Sequence, residues 1–379
     1  MLEIAYLSKS AIPSRTANSV HVMKMCQAFA KAGCKVKLYC TYSNDKVEDV
    51  YSYYGVDSCF NIEKAKLTKV KVGSWIYGYK IRKKITQSKL PDLIYARNLH
   101  SLLFTFNLSK PFIYEAHVPP HNKIQKMLIN KLFLSENFKY LVTISEALKQ
   151  EYIRLFPALN KDQIIVLHDG ADLPNLLSNL KQGVNKEKLS SFNVGYVGHL
   201  YQGRGIEVVF QLAEHFPEIY FHLVGGEDKD IEFWKNKVNR GNVIFYGHVP
   251  NGNLNSYYNL FDVVIAPYQD KVSVSGGKGN TTNWMSPLKI FEYMAYGKPM
   301  IVSNMPVLRE VLSDKDNCLL CSPTDIKEWI KAVDILKTDL TMRNMLSQKA
   351  LSDFKDNFTW ENRAKRILEK INISIEIQG

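Results

Sequence analysis

Two doubly wound, parallel-sheet α/β domains are the fold this sequence predicts, and three observations predict it. Short apolar runs alternate with helix-period stretches from end to end, as strands buried on both faces of a parallel sheet do. The 379 residues are about twice one ordinary core, since domains run roughly 100–200 residues. The charge also changes midway. The first 185 residues carry 26 basic and 14 acidic side chains and the remainder 23 of each, so the whole net charge of +12 lies in the first half. With 46% hydrophobic and 23% charged residues, the composition excludes a disordered tail and a collagen-like repeat.

In the first half the strands are expected at Leu2 to Leu7, Lys35 to Cys40, Asp92 to Arg97, Phe112 to His117, Tyr140 to Ile144 and Ile164 to Leu167. The stretch Ser19 to Ala32 is helical, with Val20, Met23, Phe29 and Ala30 as its buried stripe. Pro174 to Ser191, polar and poor in β-formers, is the natural linker and falls near the change in charge. The second half repeats the plan, with strands at Asn193 to Val197, Tyr220 to Val224, Asn242 to Phe245, Val263 to Ala266, Met300 to Ser303 and Leu319 to Ser322. This gives a first domain over 1–180, a second over 181–357 and a terminal segment over 358–379. Ligands of such sheets sit beyond the carboxyl ends of the strands, so two facing domains place their chemistry in the cleft between them.

Several function classes drop out at this stage. Six cysteines in a chain of this length make no disulfide scaffold, and Met1-Leu-Glu-Ile enters a strand without a basic and apolar leader, so a cytoplasmic protein is expected. The apolar stretch Leu102 to Leu108 ends at Lys110, far short of the roughly 20 residues of a membrane span. Cys318 and Cys321 form a lone CxxC in an apolar run and read as strand residues.

The most informative stretch is Ser286-Pro-Leu-Lys-Ile-Phe-Glu-Tyr-Met-Ala-Tyr-Gly-Lys-Pro299. Ser286 suits an N-cap, Pro287 the first helical position, and Gly297 with Pro299 the stop. The amides of Leu288 and Lys289, the helix dipole and the Lys289 ammonium together suit a phosphate or diphosphate. Glu292, three residues on, can accept two hydroxyl hydrogen bonds from a vicinal diol such as a ribose. Anion plus diol describes a nucleotide, although a capped surface helix with a Lys/Glu pair fits the same residues. A second anion signal is Gly198-His-Leu-Tyr-Gln-Gly-Arg-Gly205, where the glycines admit close backbone approach and Arg204 can fork onto phosphate oxygens. It matches neither the dinucleotide fingerprint nor the P-loop, so neither a dehydrogenase nor a P-loop NTPase is supported.

On these residues the chain resembles the GT-B fold retaining glycosyltransferases of family 4, also called glycosyl transferases group 1. The likeness rests on Pro13-Ser-Arg-Thr-Ala-Asn-Ser-Val-His21, Ile144-Ser-Glu-Ala-Leu-Lys149, His168-Asp-Gly-Ala-Asp172, Gly195 to Gly205, Val243 to Pro250 and Ser286 to Ser303. The resemblance implies that the second domain binds a nucleotide diphosphate sugar and the first binds the acceptor. Gly198, His199, Arg204, Tyr246, Gly247, His248, Val249, Ser286, Pro287, Leu288, Lys289 and Glu292 are then donor ligands. Arg204 stands where the family has a diphosphate-binding lysine, His199 where it usually has arginine, and Tyr246 to Val249 lie against the base. His117 matches the histidine that faces the donor sugar, so His117, Arg204 and Glu292 form the implied catalytic set. Ser14, Arg15, Asn18, His21 and Arg97 are the implied acceptor contacts. The chain departs from the family at Trp284, which replaces the first acid of the usual pair eight positions before Glu292. The loop Lys271 to Asn283 precedes it.

The implied reaction is sugar transfer with retention from a UDP- or GDP-sugar to a saccharide, in cell-surface polysaccharide or glycolipid synthesis. Neither cofactor nor metal is expected, the cations at the diphosphate replacing a divalent ion. Between Lys64 and Lys84 stand eight basic residues and no acid, interleaved with Trp75, Tyr77 and Tyr79. Lys71, Trp75, Tyr79, Arg82, Lys83 and Lys84 suit anionic lipid headgroups, which suggests a lipid-linked acceptor at the inner face of a membrane, although a solvated basic face reads the same way. Nucleic acid is not expected, because no nucleic-acid module accompanies the charge. The terminal helix Trp360 to Ile371 resembles the family segment that returns to the first domain, which implies a cleft that closes on donor binding. A silent GT-B subunit that binds a glycan or a partner protein, suggested by Trp284 and His199, and a nucleotide-sugar epimerase are the alternatives.

Overall fold

The structure, a computed structural model, describes residues 1–174, 191–237, 240–272 and 280–376. The chain forms two compact units, one of Met1–His168 with Trp360–Gly379 and the other of Asp169–Thr359. The expected linker, Pro174 to Ser191, falls in the second of these, and its residues 175–190 lie outside the described ones.

The first unit runs β1 (Glu3–Ile12), α1 (Ala17–Lys31), β2 (Lys35–Tyr42), α2 (Val50–Tyr54), β3 (Asn61–Ala65), α3 (Gly73–Thr86), β4 (Leu93–Ala96), α4 (Leu99–Thr105), β5 (Phe112–Ala116), α5 (Lys123–Phe133), β6 (Phe138–Thr143), α6 (Glu146–Leu155) and β7 (Ile164–Val166). Its strands pair in parallel in the order β3-β2-β1-β4-β5-β6-β7. The order reverses between β1 and β4, which makes the carboxyl ends of β1, β4 and β5 the place for a site. Helix starts are fixed locally: the side chains of Thr16, Asn98, Asn122 and Ser145 each accept a first-turn amide, worth about 1 kcal/mol apiece.

Three expectations are corrected here. β1 continues past Leu7 to Ile12 through a register shift between Leu7 and Ala11, because its far end still pairs with β2. β3 was not among the expected strands: Asn-Ile-Glu-Lys-Ala is an edge strand, mostly half-buried, and lacks an apolar run. α1 buries more than one stripe, from Ser19 through Phe29 with Val20 only partly covered.

The second unit runs β8 (Asn193–Val197), α7 (Ile206–His215), β9 (Tyr220–Val224), α8 (Asp228–Lys237), β10 (Val243–Gly247), α9 (Asn255–Leu260), β11 (Val263–Ala266), α10 (Leu288–Ala295), β12 (Met300–Ser303), β13 (Leu319–Cys321), α11 (Ile326–Thr338) and α12 (Leu340–Asn357). Its parallel sheet has the order β10-β9-β8-β11-β12-β13 and reverses between β8 and β11. Val194, Leu212, Phe221, Ile265, Trp329 and Leu346 are part of the core that packs α7, α11 and α12 on the sheet. Both Cys318 and Cys321 are buried free thiols; Cys321 ends β13 as expected, while Cys318 stands just before the strand in an isolated bridge with Asp314. The last helix, α13 (Trp360–Glu376), belongs to the first unit and packs on α1.

Candidate active site

In the second unit the residues of interest gather at the β8/β11 switch. β8 ends at Val197, and the loop to α7 turns through Gly198, Gly203 and Gly205, all with positive φ. Only glycine fits the last of these, because a Cβ at Gly205 would stand 1.7 Å from the Pro267 carbonyl oxygen. A Cβ at Gly198 would lie 3.0 Å from Lys289 Nζ, so this glycine opens the space in front of that amine.

α10 supplies Lys289 and Glu292. Ser286 is not its N-cap, contrary to expectation: Pro287 holds the cap position without a side-chain bond, and Ser286 Oγ accepts from the Asp169 amide at 2.7 Å. Among the described residues no side chain therefore caps the first turn, which leaves the amides of Leu288 and Lys289 to an outside acceptor. Lys289 is 8% exposed and its Nζ has no hydrogen-bond partner among the described residues, resting 3.7 Å from the centre of the Tyr196 ring and 5.1 Å from that of Tyr268. Burial first, and then the Arg204 guanidinium, hold this amine well below the ordinary lysine range. Arg204 lies over the other aromatic wall, its Cζ 5.5 Å from the Tyr268 ring centre. His199 stacks on Tyr201 at 4.7 Å, and burial, Arg204 and Lys289 push its imidazole down to about 4. It is a neutral hydrogen-bonding group at pH 7, not a third cation.

Glu292 points away from a simple Lys/Glu pair. Its Oε1 accepts from Asn251 Nδ2 at 3.2 Å and its Oε2 from the hydroxyl of buried Tyr258 at 3.0 Å. Tyr296 stacks on Tyr258 with ring centres 4.0 Å apart and stiffens that support. Tyr246, next to last in β10, has its hydroxyl 2.9 Å from His222 Nδ1, while Gly247 ends the strand with positive φ and leads to half-buried His248 and Val249. Half-buried Trp284 stands before α10, its amide bonded to the Thr281 carbonyl. Of the loop Lys271 to Asn283, residues 273–279 lie outside the described ones; Asn280 Oδ1 and Thr282 Oγ1 both accept from the Val272 amide.

The first unit gathers its own cluster where β4 and β5 end. Arg97 follows β4 and His117 follows β5, and between them lies Glu115, a fully buried carboxylate. Its Oε1 is 2.9 Å from His21 Nε2, 2.5 Å from His117 Nε2 and 3.3 Å from Arg97 Nε. Its Oε2 accepts from the Tyr95 hydroxyl and, at 3.1 Å, from Arg363 Nη1 on α13. Burial pushes this carboxyl up, but Arg363, His21 and His117 outweigh it and keep it well below the usual carboxylate range. Among the described residues, His21, Glu115 and His117 are the cluster whose ligand atoms lie close enough for a metal ion, all within 4.8 Å.

The other sequence-derived contacts divide. Arg15 is exposed at the β1–α1 turn, and Asn18 is exposed with its amide on Ser10 Oγ. Ser14 and His21 are placed otherwise than surface contacts: the Ser14 hydroxyl is engaged with Thr16 and Ser19 at the start of α1, and His21 is buried against Glu115 and Trp360. In the basic segment Lys71, Trp75, Tyr79 and Lys83 are exposed. Arg82 is committed to the Phe104 carbonyl and Asn107, Lys84 pairs with Glu63, and Tyr77 is buried with its hydroxyl on the Ser8 carbonyl.

Two parallel sheets with a polar, cation-bearing strand-end site are the architecture of the GT-B sugar transferases, and the comparisons agree. The profile described as Glycosyltransferase Family 4 matches residues 19–174 and that of Glycosyl transferases group 1 matches 178–353. The chain is a glycosyltransferase of GT-B fold and belongs to this family. It is 24% identical to an uncharacterized glycosyltransferase of Methanocaldococcus jannaschii, over 63% of this chain and 61% of that protein. It is 21% identical to a putative glycosyltransferase of Bacillus subtilis over 81% of each. In fold it is similar to sucrose-phosphate synthase from Thermosynechococcus elongatus, with a TM-score of 0.74 at 18% identity and full coverage of both chains. It is also similar to Anabaena HepE in complex with UDP-glucose, with a TM-score of 0.72 at 15% identity over 98% of this chain and all of the other.

The residues that sequence reasoning missed are supports: Glu115, Asn251, Tyr258, Tyr196 and Tyr268. Only Glu115 left a trace, as a carboxylate inside the apolar strand Phe112 to Ala116, where an unpaired charge is too costly to bury.

Proposed function

We propose that this chain transfers a sugar, with retention, from a UDP- or GDP-sugar to a saccharide acceptor in the synthesis of a cell-surface polysaccharide or glycolipid. The observation that carries the reading is the pairing of Lys289, buried and without a hydrogen-bond partner among the described residues, before an uncapped helix start, with Glu292, a carboxylate oriented by Asn251 and Tyr258. The first suits a diphosphate, the second the two hydroxyls of a ribose, and α10 sets their separation. Arg204 and neutral His199 complete the anion's surroundings, so developing charge on the leaving diphosphate meets donors already in place. His117 faces the donor sugar and Tyr246 to Val249 read the base. No metal is needed where cations of the chain do this work.

We further propose a lipid-linked acceptor, reached by docking of the first unit on an anionic membrane. No helix among the described residues is long and apolar enough to cross a membrane. α4 packs against both α3 and α5, and these two helices carry exposed apolar side chains beside lysines: Trp75 and Tyr79 on α3, Ile124 and Met127 on α5 with Leu134 just after it. Lys71, Lys83, Lys123, Lys126 and Lys131 are exposed on the same segments. Such cations contribute about 1 kcal/mol each near an anionic surface, and the aromatic rings suit its headgroup layer. Flotation with vesicles of neutral and of mixed neutral and anionic phospholipid tests this. Binding that requires anionic lipid and falls in Trp75→Ser/Ile124→Ser supports it; equal partition into both vesicle types contradicts it.

A further inference from the structure

We propose that Glu115 is a positioning residue that fixes His117 as a neutral imidazole with its proton on Nε2, and fixes Arg97 beside it. The inference rests on the reading of His117 as the group facing the donor sugar. The atoms in contact decide the tautomer. A carboxylate only accepts, so the ring nitrogen 2.5 Å from Glu115 Oε1, Nε2, carries the hydrogen. A guanidinium only donates, so the nitrogen 3.2 Å from Arg97 Nη2, Nδ1, presents its lone pair. Both ring nitrogens are thereby assigned, and a second proton on His117 would have to stand against the Arg97 guanidinium.

The charges around the ring act in the same direction. Arg97 and Arg363 both approach the one carboxylate, so the cluster holds one positive charge in excess before any proton is added to an imidazole. This also argues against a metal ion at His21, Glu115 and His117, because the carboxylate already accepts a hydrogen bond from Arg363 and lies 3.3 Å from the Arg97 guanidinium, so its charge is matched by two cations. Arg363 is itself held by the carbonyls of Leu167 and His168, so the hub is anchored in α13 as well as in β5. In this arrangement both ring nitrogens are engaged within the hub, so His117 presents a rigid, uncharged ring and is not a proton shuttle, and Glu115 acts through it without touching substrate.

Histidine-selective 15N labelling tests this on the wild-type chain, with the His117 ring assigned through His117→Gln. At pH 7 the proposal expects a protonated, pyrrole-type Nε2 and an unprotonated Nδ1. A ring protonated on Nδ1, or on both nitrogens, overturns it. Addition of Zn2+ should leave the ring signals in place; shifts at His21 and His117 would replace the hub with a metal site. Glu115→Asp, which keeps the charge and withdraws it by one methylene, should mix the tautomers and lower kcat about tenfold with donor KM little changed. A normal tautomer, or mixed tautomers with unchanged kcat, refutes the positioning role. If His117→Gln itself leaves kcat unchanged, the sugar-facing reading fails, and the nitrogen signals still decide the Glu115 assignment separately.

Discussion

Replacing Lys289 with methionine separates binding from folding at the proposed diphosphate site. In the free chain the amine has aromatic faces on two sides but no hydrogen-bond acceptor among the described residues. The cation–π contact with Tyr196 returns about 2 kcal/mol when desolvated, set against the cost of a buried charge near Arg204. Methionine keeps the length and removes the charge, so Lys289→Met should melt at or above the wild-type temperature. An amine held below its unfolded value of about 10.4 binds fewer protons when folded than when unfolded. Its contribution to stability is therefore complete only above that value and is lost as the pH falls toward the folded one, a slope that the variant lacks. Nucleotide diphosphate supplies the missing acceptor. A charge-assisted hydrogen bond contributes about 1.5–3 kcal/mol, so the variant should bind about 10- to 150-fold more weakly. Calorimetric titration with UDP and GDP, beside melting curves of the free proteins from pH 6 to 9, reads both effects. Unchanged affinity together with a lowered melting temperature would show that Lys289 is a structural cation and refute the reasoning.

Two smaller perturbations follow from the same site. Tyr258→Phe removes the hydroxyl that orients Glu292 and should weaken nucleotide binding about fivefold, the worth of about 1 kcal/mol; identical titrations would count against the support. His199 titrates near 4 when folded and about 6.5 when unfolded, so its contribution to stability, present above 6.5, is lost as the pH falls from there to 4. His199→Asn should show a shallower loss of melting temperature over that range, and parallel curves would be inconsistent with a buried neutral ring.

What was legible in the sequence is what repeats along it. Strands such as Val263–Ala266 and Met300–Ser303 announce themselves because both faces are buried and every residue but Ser303 is apolar. β3 does not, since an edge strand can keep Asn61, Glu63 and Lys64 at its surface. The functional side chains Lys289 and Glu292 were legible because a Ser-Pro helix start and their spacing carry the chemistry themselves. Their partners were not: Asn251 and Tyr258 reach Glu292 from 41 and 34 residues away, and nothing local marks them. The same limit misassigned Ser286, which has the chemistry of an N-cap but is claimed by the Asp169 amide. Nor does the basic run announce the tertiary partners that Arg82 and Lys84 meet, the Phe104 carbonyl with Asn107 and the Glu63 carboxylate.

The central claim is that α10 and its surroundings hold a nucleotide diphosphate through the Lys289 cradle and the Glu292 carboxylate. Thermal-shift measurements with UDP-, GDP- and ADP-sugars on the wild type and on Glu292→Ala test it most directly. A ligand present at about 100 times its Kd adds about 2.7 kcal/mol to folding stability, so a bound donor raises the melting temperature measurably. The account expects a rise with a UDP- or GDP-sugar in the wild type that is lost in the variant. No rise with any of the three, or an equal rise in both proteins, would contradict it.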